Sequence, residues 1–432
     1  MRAPDRRRFL SQSIVGAAAL ATPAWLRAEP RPPADGAPVP LPAPWAGPQD
    51  QEAYWGQVKE QFSLASGLIL MNAANLCPSP HTVQEAVFRH TRDVDADASS
   101  GNRGKFERLR EDGRSAVAAM MNVSPDEIAL TRNTSESNNT VVGGVDLGAG
   151  DEVVLWEQNH PTNNVAWDVR ADRRGFRVIR VKTPPSPASA AEIVGAFEAA
   201  LSPRTRVLAF SHISNISGVA LPAAELCALA RDRGILTLID GAQSFGALDV
   251  DLRAIGCDFY TASAHKWFVG PKEVGVLYTR DEQIPALWPR VVGSGWERAV
   301  ESGARKFESM GQRDDGAVCA MVEAAAFREA IGAERIEARV RELTAALREA
   351  VRGRFPETRF HTPEGPHHSA GVLVFEIPGV DHGELYERLY AEHRIAGAPR
   401  GGEFGGIRFC PHIYNTLAEV ERVVEAIEAL AA

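Results

Sequence analysis

Residues 240–266 read DGAQSFGALDVDLRAIGCDFYTASAHK, and how that stretch is read decides the fold. Immediately before it lies GILTLID (234–240), an apolar, β-branched run of strand length that ends on Asp240 and is followed by a turn signal, Gly241. That places Asp240 at the carboxyl end of a buried strand. In open α/β sheets ligands gather outside those strand ends, so a carboxylate there is positioned to meet one. A second apolar stretch, CDFYTASA (257–264), then delivers His265 and Lys266, flanked by Trp267, Phe268 and a Gly-Pro turn. A lysine so placed is ill suited to an ordinary solvated surface and can form a Schiff base.

An amine and an anion in this arrangement suit pyridoxal phosphate (PLP), whose aldehyde takes an amine and whose ring nitrogen needs an anion to act as an electron sink. The lysine must be neutral to attack a carbonyl. Shifting its pKa from about 10.4 toward 7 costs roughly 4 to 5 kcal/mol, and desolvation on the Trp-Phe side supplies part of that. The acid beside a protonated ring nitrogen, at ~4 Å and an effective dielectric of ~20, gains roughly 4 kcal/mol. Read singly, Asp240 also fits a turn cap and Lys266 a surface lysine. Together, D-x-x-Q (240–243) and S-x-H-K-W (263–267) before the Gly-Pro turn resemble the class V aminotransferase and cysteine desulfurase family.

That resemblance covers about residues 50 to 432 and implies a fold-type I PLP-dependent transferase of class α/β. A mostly parallel sheet would form a large PLP-binding domain over 51–319, with its N-terminal segment near a smaller C-terminal α/β domain over 320–432. Alternating strand and helix units independently imply a parallel sheet covered on both faces. The units include a helix near 51–62, one between Arg103 and Met121, helices at 191–201 and 222–233, and one from 320 through Leu347. Toward the end come the strand AGVLVFEI, the helix HGELYERLYAEH and a last helix, LAEVERVVEAIEAL.

Roles follow from the resemblance position by position. In EIALTRNTSESNN a strand enters Thr131 and a helix opens at Thr134-Ser135, where free amides and the dipole suit a phosphate. The local sequence also fits simple N-capping. The family holds the PLP phosphate with the equivalent pair, and Ser263 and His265 match the residues that complete that cup. His160 matches the histidine that stacks on the ring, although Asn159 and Pro161 depart from the commoner pattern and a loop histidine is also at home in solvent. Asn215 and Gln243 match amides that donate to the cofactor's phenolic oxygen. Gln312 stands where a Thr often contacts the neighbouring subunit's phosphate, and G-Q-R-D (311–314) is close to the G-T-R-D of the isopenicillin N epimerase-like branch. The resemblance therefore implies a homodimer.

Arg408 matches the arginine for a substrate α-carboxylate, which a guanidinium can grip with two parallel bonds. Asn72, in NAAN, matches a stretch near the substrate or is a plain turn residue. Desulfurases carry a nucleophilic cysteine before this arginine, whereas IAGAPRGGEFGGIR (395–408) has none, which argues against persulfide chemistry. The implied function is chemistry at the Cα of an amino acid or of an amino-acid-containing periplasmic metabolite, aminotransferase- or epimerase-like, with Lys266 as catalytic base. The alternatives are a C-S or other β-eliminating lyase and, from another class, a non-catalytic dimer that keeps the fold for binding.

Composition sets the remaining bounds. A formal charge of -9 and the absence of a basic tract beyond the leader argue against a nucleic-acid partner, and no apolar run of ~20 residues predicts a membrane span in the mature form. Residues 1–28, with RRRFL followed by an Ala-rich stretch, read as a twin-arginine signal, with a mitochondrial-type presequence as the alternative. Its loss takes the net charge to -13, since it holds five Arg and one Asp, and cleavage after Ala24 or Ala28 fits equally. The signal implies the twin-arginine export machinery as partner and a periplasmic address. A Pro-rich arm spans 29–50. Cysteines 77, 227, 257, 319 and 410 are odd in number and widely spread, so neither a disulfide framework nor a metal site is expected.

Overall fold

The computed structural model describes residues 51–184, 187, 189–365 and 368–431; the export signal read at 1–28 and the arm at 29–50 lie outside the described residues. A helix, Gln51–Lys59, and a short strand, β1 (Ile69–Leu70), come first. Seven strands then build the large sheet: β2 (Ile128–Thr131), β3 (Glu152–Trp156), β4 (Arg177–Val181), β5 (Thr205–Ser211), β6 (Leu236–Asp240), β7 (Phe259–Ser263) and β8 (Gly275–Thr279). Their spatial order is β2-β8-β7-β6-β5-β3-β4, and every neighbouring pair is parallel except the two made by β8. The sheet is therefore mostly parallel.

Sequence alternation within each strand feeds two cores. In β5, Leu208 and Phe210 enter one cluster while Val207 and Ala209 enter the other, and all four are fully buried. A strand covered on both faces has to be apolar at consecutive positions, and each large side chain so buried contributes about 1.5–3 kcal/mol. Val117, Phe197 and Leu226 cover the first face from the helices Ser100–Met120, Ala190–Glu198 and Ala223–Arg231. Val141 and Trp167 cover the second from the helices Thr134–Gly144 and Pro161–Arg174.

Strand direction is what assembles the site. Because β3, β5, β6 and β7 are mutually parallel, Asp240 at the end of β6 and His160, Asn215 and Lys266 past the ends of the others emerge at one edge of the sheet. Strand β2 runs the same way, both it and β7 being antiparallel to β8, so Thr134 joins that edge.

The stretch from 320 does not form the single helix through Leu347 that its composition predicts. It is two helices, Met321–Ile331 and Ala333–Arg354, because Gly332 takes φ 97° and ψ 134°, outside the helical region. Strands β9 (Arg359–Phe360), β10 (Leu373–Glu376), β11 (Ile395–Ala396), β12 (Ala398–Arg400) and β13 (Gly406–Phe409) follow. Four of them make an antiparallel sheet in the order β12-β13-β10-β9, and β11 pairs in parallel with β1. The helices His382–His393 and Leu417–Ala431 pack on it through Leu385, Leu389, Val420 and Val424. A domain division at 319/320 stands as a proposal, since Met321, Ala324 and Ala325 still pack in the large-sheet core.

Candidate active site

Asp240 is buried at the carboxyl end of β6, opposite Thr261 of β7. Its Oδ2 accepts from Asn138 Nδ2 at 2.9 Å and its Oδ1 from the amide of Ala242 at 3.1 Å. Asn138 is itself oriented, accepting from the Thr261 hydroxyl at 2.7 Å. Hydrogen bonds to a buried charge are worth about 1.5–3 kcal/mol each, so this chain from Thr261 through Asn138 fixes the carboxylate in one direction. The backbone can turn after Asp240 because residue 241 is glycine; a Cβ there would lie 1.9 Å from the Tyr260 ring.

Lys266 leaves β7 in a tight turn in which Gly270 N donates to Ala264 O at 2.7 Å and Val269 N to Lys266 O at 2.9 Å. The turn forces Val269 to φ 53°, a conformation that strains a β-branched residue by about 1–3 kcal/mol. Packing holds it there: Trp267, Phe268 and Val269 are fully buried. Arg328 donates to Trp267 O and Gly246 O, His412 Nε2 binds Trp267 O at 2.8 Å, and the Trp267 indole donates to Gln243 Oε1 at 2.7 Å. The half-buried Lys266 is held in place through its neighbours. Burial lowers its ammonium pKa, the Arg408 guanidinium lowers it further, and the Asp240 carboxylate opposes both.

At the amino end of the helix Thr134–Gly144, Asn133 caps the amide of Glu136 at 3.0 Å. Ser263 Oγ accepts from the Thr134 amide at 2.8 Å and lies 2.7 Å from the Thr134 hydroxyl. Residues 134 and 263, distant in sequence, thus meet as a hydroxyl pair at a helix N-terminus. Ser135, the next residue, is exposed and lines a cavity of about 480 Å³ with Arg132, Asn139 and Arg290.

Arg408 lies in β13, where its two Nη groups donate to Asn215 O at 3.0 Å and Asn72 Oδ1 at 2.9 Å; its buried Nε has no partner. Arg408 and Asn72, expected near the substrate, are therefore brought together with the backbone of Asn215, a residue expected at the cofactor. Gln243 donates one N–H to Ala74 O at 3.0 Å, which leaves its second N–H free to donate. His160 caps the helix Pro161–Arg174, its Nδ1 accepting from Thr162 N at 3.2 Å. Burial, and then the Lys266 ammonium, hold its imidazole below the ordinary range. Burial, aided by Lys266 and Lys272, brings His265 down to about 4, so its ring is neutral. Gln312 stands apart: it is exposed, accepts from Arg103 at 2.9 Å and donates to Arg313 O at 2.7 Å. Within its own chain it does not join the cluster.

Two residues at this site escape the motif reading. Asn138, which holds Asp240, follows Thr134 by one helical turn and so shares its face; that spacing was the available signal. Arg400 of β12 is felt electrostatically by both His160 and Arg408, and no motif names it. All five cysteines are free and buried, and burial pushes the Cys77 thiol up to about 12. Among the described residues no group of three His, Cys, Asp or Glu is gathered to hold a metal, and no helix is long and apolar enough to cross a membrane.

Residues 72–423 match the family model described as Aminotransferase class-V. The chain is 32% identical over 393 residues to an isopenicillin N epimerase of Streptomyces clavuligerus, covering 88% of this chain and 98% of that protein. It is 33% identical over 397 residues to an isopenicillin N epimerase of Amycolatopsis lactamdurans, covering 87% and 98%. It superposes with a TM-score of 0.78, at 22% identity, on a mutant of the cystine C-S lyase C-DES with glycine covalently linked to its PLP cofactor, covering 86% of this chain and 98% of that one. The structural likeness is one of fold, the fold-type I arrangement of a mostly parallel sheet between helices. With the lysine, the aspartate and the hydroxyl pair gathered at one sheet edge and the match running through most of the chain, this protein belongs to the aminotransferase class-V family.

Proposed function

We propose that this chain is a PLP-dependent enzyme acting at the Cα of an amino acid, or of the amino-acid portion of a larger metabolite, with an epimerase- or aminotransferase-like outcome. The observation that carries the proposal is Lys266, its ammonium destabilised by burial, set against the buried carboxylate of Asp240 at the edge where four parallel strands end. The donor set fits the cofactor. Thr134 and Ser263 hydroxyls at a helix N-terminus, with Ser135 and His265 beside them, would hold its phosphate. Asn215 and Gln243 would donate to its phenolic oxygen, and His160 would lie against its ring.

Bound there, PLP supplies an aldehyde that takes up a primary amine and a ring that draws electrons from Cα. The side chains of this protein do the rest. Lys266, its charged form disfavoured by burial, supplies the amine and moves the Cα proton. Asp240 supplies the fixed negative charge, and Arg408 orients the substrate by its carboxylate. The isopenicillin N epimerase relatives support proton return at Cα over bond breaking at Cβ. Thiol chemistry has no group to carry it, since every cysteine is a buried thiol and residues 395–408 contain none.

The test is to add PLP and then amino donors such as glutamate and alanine to the purified protein, following the visible spectrum and the products in deuterated water. A bound chromophore with deuterium gained at Cα and a change of configuration establishes the epimerase. Stoichiometric keto acid with loss of the visible band establishes half-transamination. Ammonia and keto acid released catalytically, with no amino acceptor, would replace the proposal with a β-eliminating lyase, and failure to take up PLP would replace it with the non-catalytic dimer.

We also propose a homodimer. Val165 and Val169 are 57% and 54% exposed on the helix Pro161–Arg174, where they line a cavity of about 870 Å³. Asn139 and Arg290 line both this cavity and the one at Ser135, so the two cavities adjoin beside the hydroxyl cluster. A second copy covering it would bury that surface and leave Gln312 to serve the partner's site. Sedimentation of the double variant Val165→Asp, Val169→Asp is expected to show a monomer at concentrations where the parent is a dimer. A monomeric parent would overturn the assignment. The periplasmic address is proposed from residues 1–28 alone.

A further inference from the structure

We infer that Arg328, which lies outside the site, is a positioning residue for its chemistry: its guanidinium ties the turn that carries Lys266 to the turn that follows Asp240, and so sets the amine against the carboxylate. The inference rests on the proposed roles of those two residues and extends them to a third. The strand ladder alone does not fix their separation. Asp240 is the last residue of β6, in register with Thr261, but Lys266 stands three residues beyond the end of β7. Its place is set by how the turn through Gly270 is held. That turn lies directly on the one after Asp240. A Cβ at Gly246 would come within 2.6 Å of the Phe268 backbone, and the Phe245 and Phe268 rings stack at 4.5 Å with their planes 7° apart.

Arg328 sits on that seam. From the helix Met321–Ile331, and 2% exposed, it donates from Nη1 to Trp267 O at 3.0 Å and from Nη2 to Gly246 O at 2.7 Å, with its guanidinium carbon 5.2 Å from the centre of the Phe268 ring. One acceptor belongs to each turn, so the rigid fork of a guanidinium fixes the distance between them, which a single ammonium cannot do. What singles the residue out is that it makes a poor stabiliser. Among the described residues its hydrogen-bond partners are two carbonyl oxygens and no carboxylate, and its Nε is buried with no partner. Burial brings the guanidinium down to about 10, still charged at neutral pH. A buried charge without a counter-ion is costly, and an apolar side chain of like volume in the place of a buried ion is often neutral or stabilising. The fold carries that cost at a position that spans both turns, where a displacement of about 1 Å can lower a rate about 10²-fold.

The test compares Arg328→Met and Arg328→Lys with the parent, each first without PLP and then loaded with it. In the unloaded Arg328→Met protein, amide hydrogen exchange should quicken at least about tenfold, the worth of one charge-assisted hydrogen bond. The change should fall at Val269 and Gly270 of one turn and at Phe245 and Leu248 of the other, whose amides bond within those turns, and leave β6, β7 and the melting temperature close to the parent's. In the loaded protein, kcat for the amino acid that the parent turns over fastest should fall about 10²-fold. KM should stay within about threefold, because Arg408 and Asn72 are untouched. Arg328→Lys, which keeps the charge but reaches one carbonyl at a time, should fall between. A kcat within threefold of the parent in Arg328→Met overturns the inference, and so does exchange that quickens throughout the molecule. Should Arg328→Met fail to fold, Arg328→Lys decides: parental kcat overturns the inference, and a loss confined to kcat in the folded protein upholds it. A parent that takes up no PLP sinks the proposed function, while exchange that quickens only in the two turns still upholds the tie.

Discussion

Lys266→Ala is expected to abolish the visible band of the PLP-loaded protein and to reduce turnover at least about a thousandfold. Positioned proton transfer alone is worth about 10²–10⁴ in rate, and in the proposed function this variant removes both the base and the amine that would anchor the cofactor. The structure argues that the loss is chemical. Among the described residues the Lys266 side chain makes no hydrogen bond or ion pair, and its turn is fastened by backbone bonds and by Arg328, His412 and Gln243. Asp240 keeps Asn138 and the Ala242 amide after the substitution. The variant should therefore fold, with a melting temperature within a few degrees of the parent. Turnover within tenfold of the parent would remove Lys266 from the mechanism, and a collapsed melting temperature would show that it is structural.

The sequence carried the frame of the site because that frame depends on local signals. GILTLID and CDFYTASA are strands whose consecutive apolar residues announce burial on both faces, and the positions at their ends, Asp240 and Lys266, follow from chain direction. The helix HGELYERLYAEH occupies its stretch in full, with Asp381 capping its first turn. What escaped was set by non-local or subtle backbone terms. Gly332 breaks a helix that its neighbours' side chains would have continued, and a glycine within a helical pattern is too common to fix a boundary. Asn138 faces Asp240 only because β2 and β6 run in the same direction, and a polar residue on a helix reads by itself as a solvated one. Arg400 is legible only from the cross-strand register that sets it diagonally from Arg408. Gln312, carried by motif alone, finds only Arg103 and Arg313 in its own chain, and its proposed role depends on a second copy.

Asp240→Asn tests the other half of the site with almost no change of shape. An amide oxygen can still accept from the Ala242 amide, but the amide nitrogen would then face the Asn138 Nδ2 that now donates to Oδ2, donor against donor. Asn138 can answer by flipping, at the cost of its bond from the Thr261 hydroxyl. The local penalty is thus about one buried hydrogen bond, 1–3 kcal/mol. The chemical penalty is larger. A carboxylate about 4 Å from a protonated ring nitrogen, at an effective dielectric of ~20, is worth roughly 4 kcal/mol, which corresponds to about a thousandfold in rate. The substitution also removes the Asp240 charge, which raises the Lys266 pKa against burial and Arg408, so that pKa moves further down. Amine attack should survive while proton removal at Cα fails. The expected result is a variant that still takes up PLP and shows its visible band, yet turns over about 10³-fold more slowly, with Asn138→Ala falling between it and the parent. If Asp240→Asn retains turnover within tenfold, the carboxylate is only a turn cap. The buried network that Asn138 and Thr261 build around it would then need another purpose.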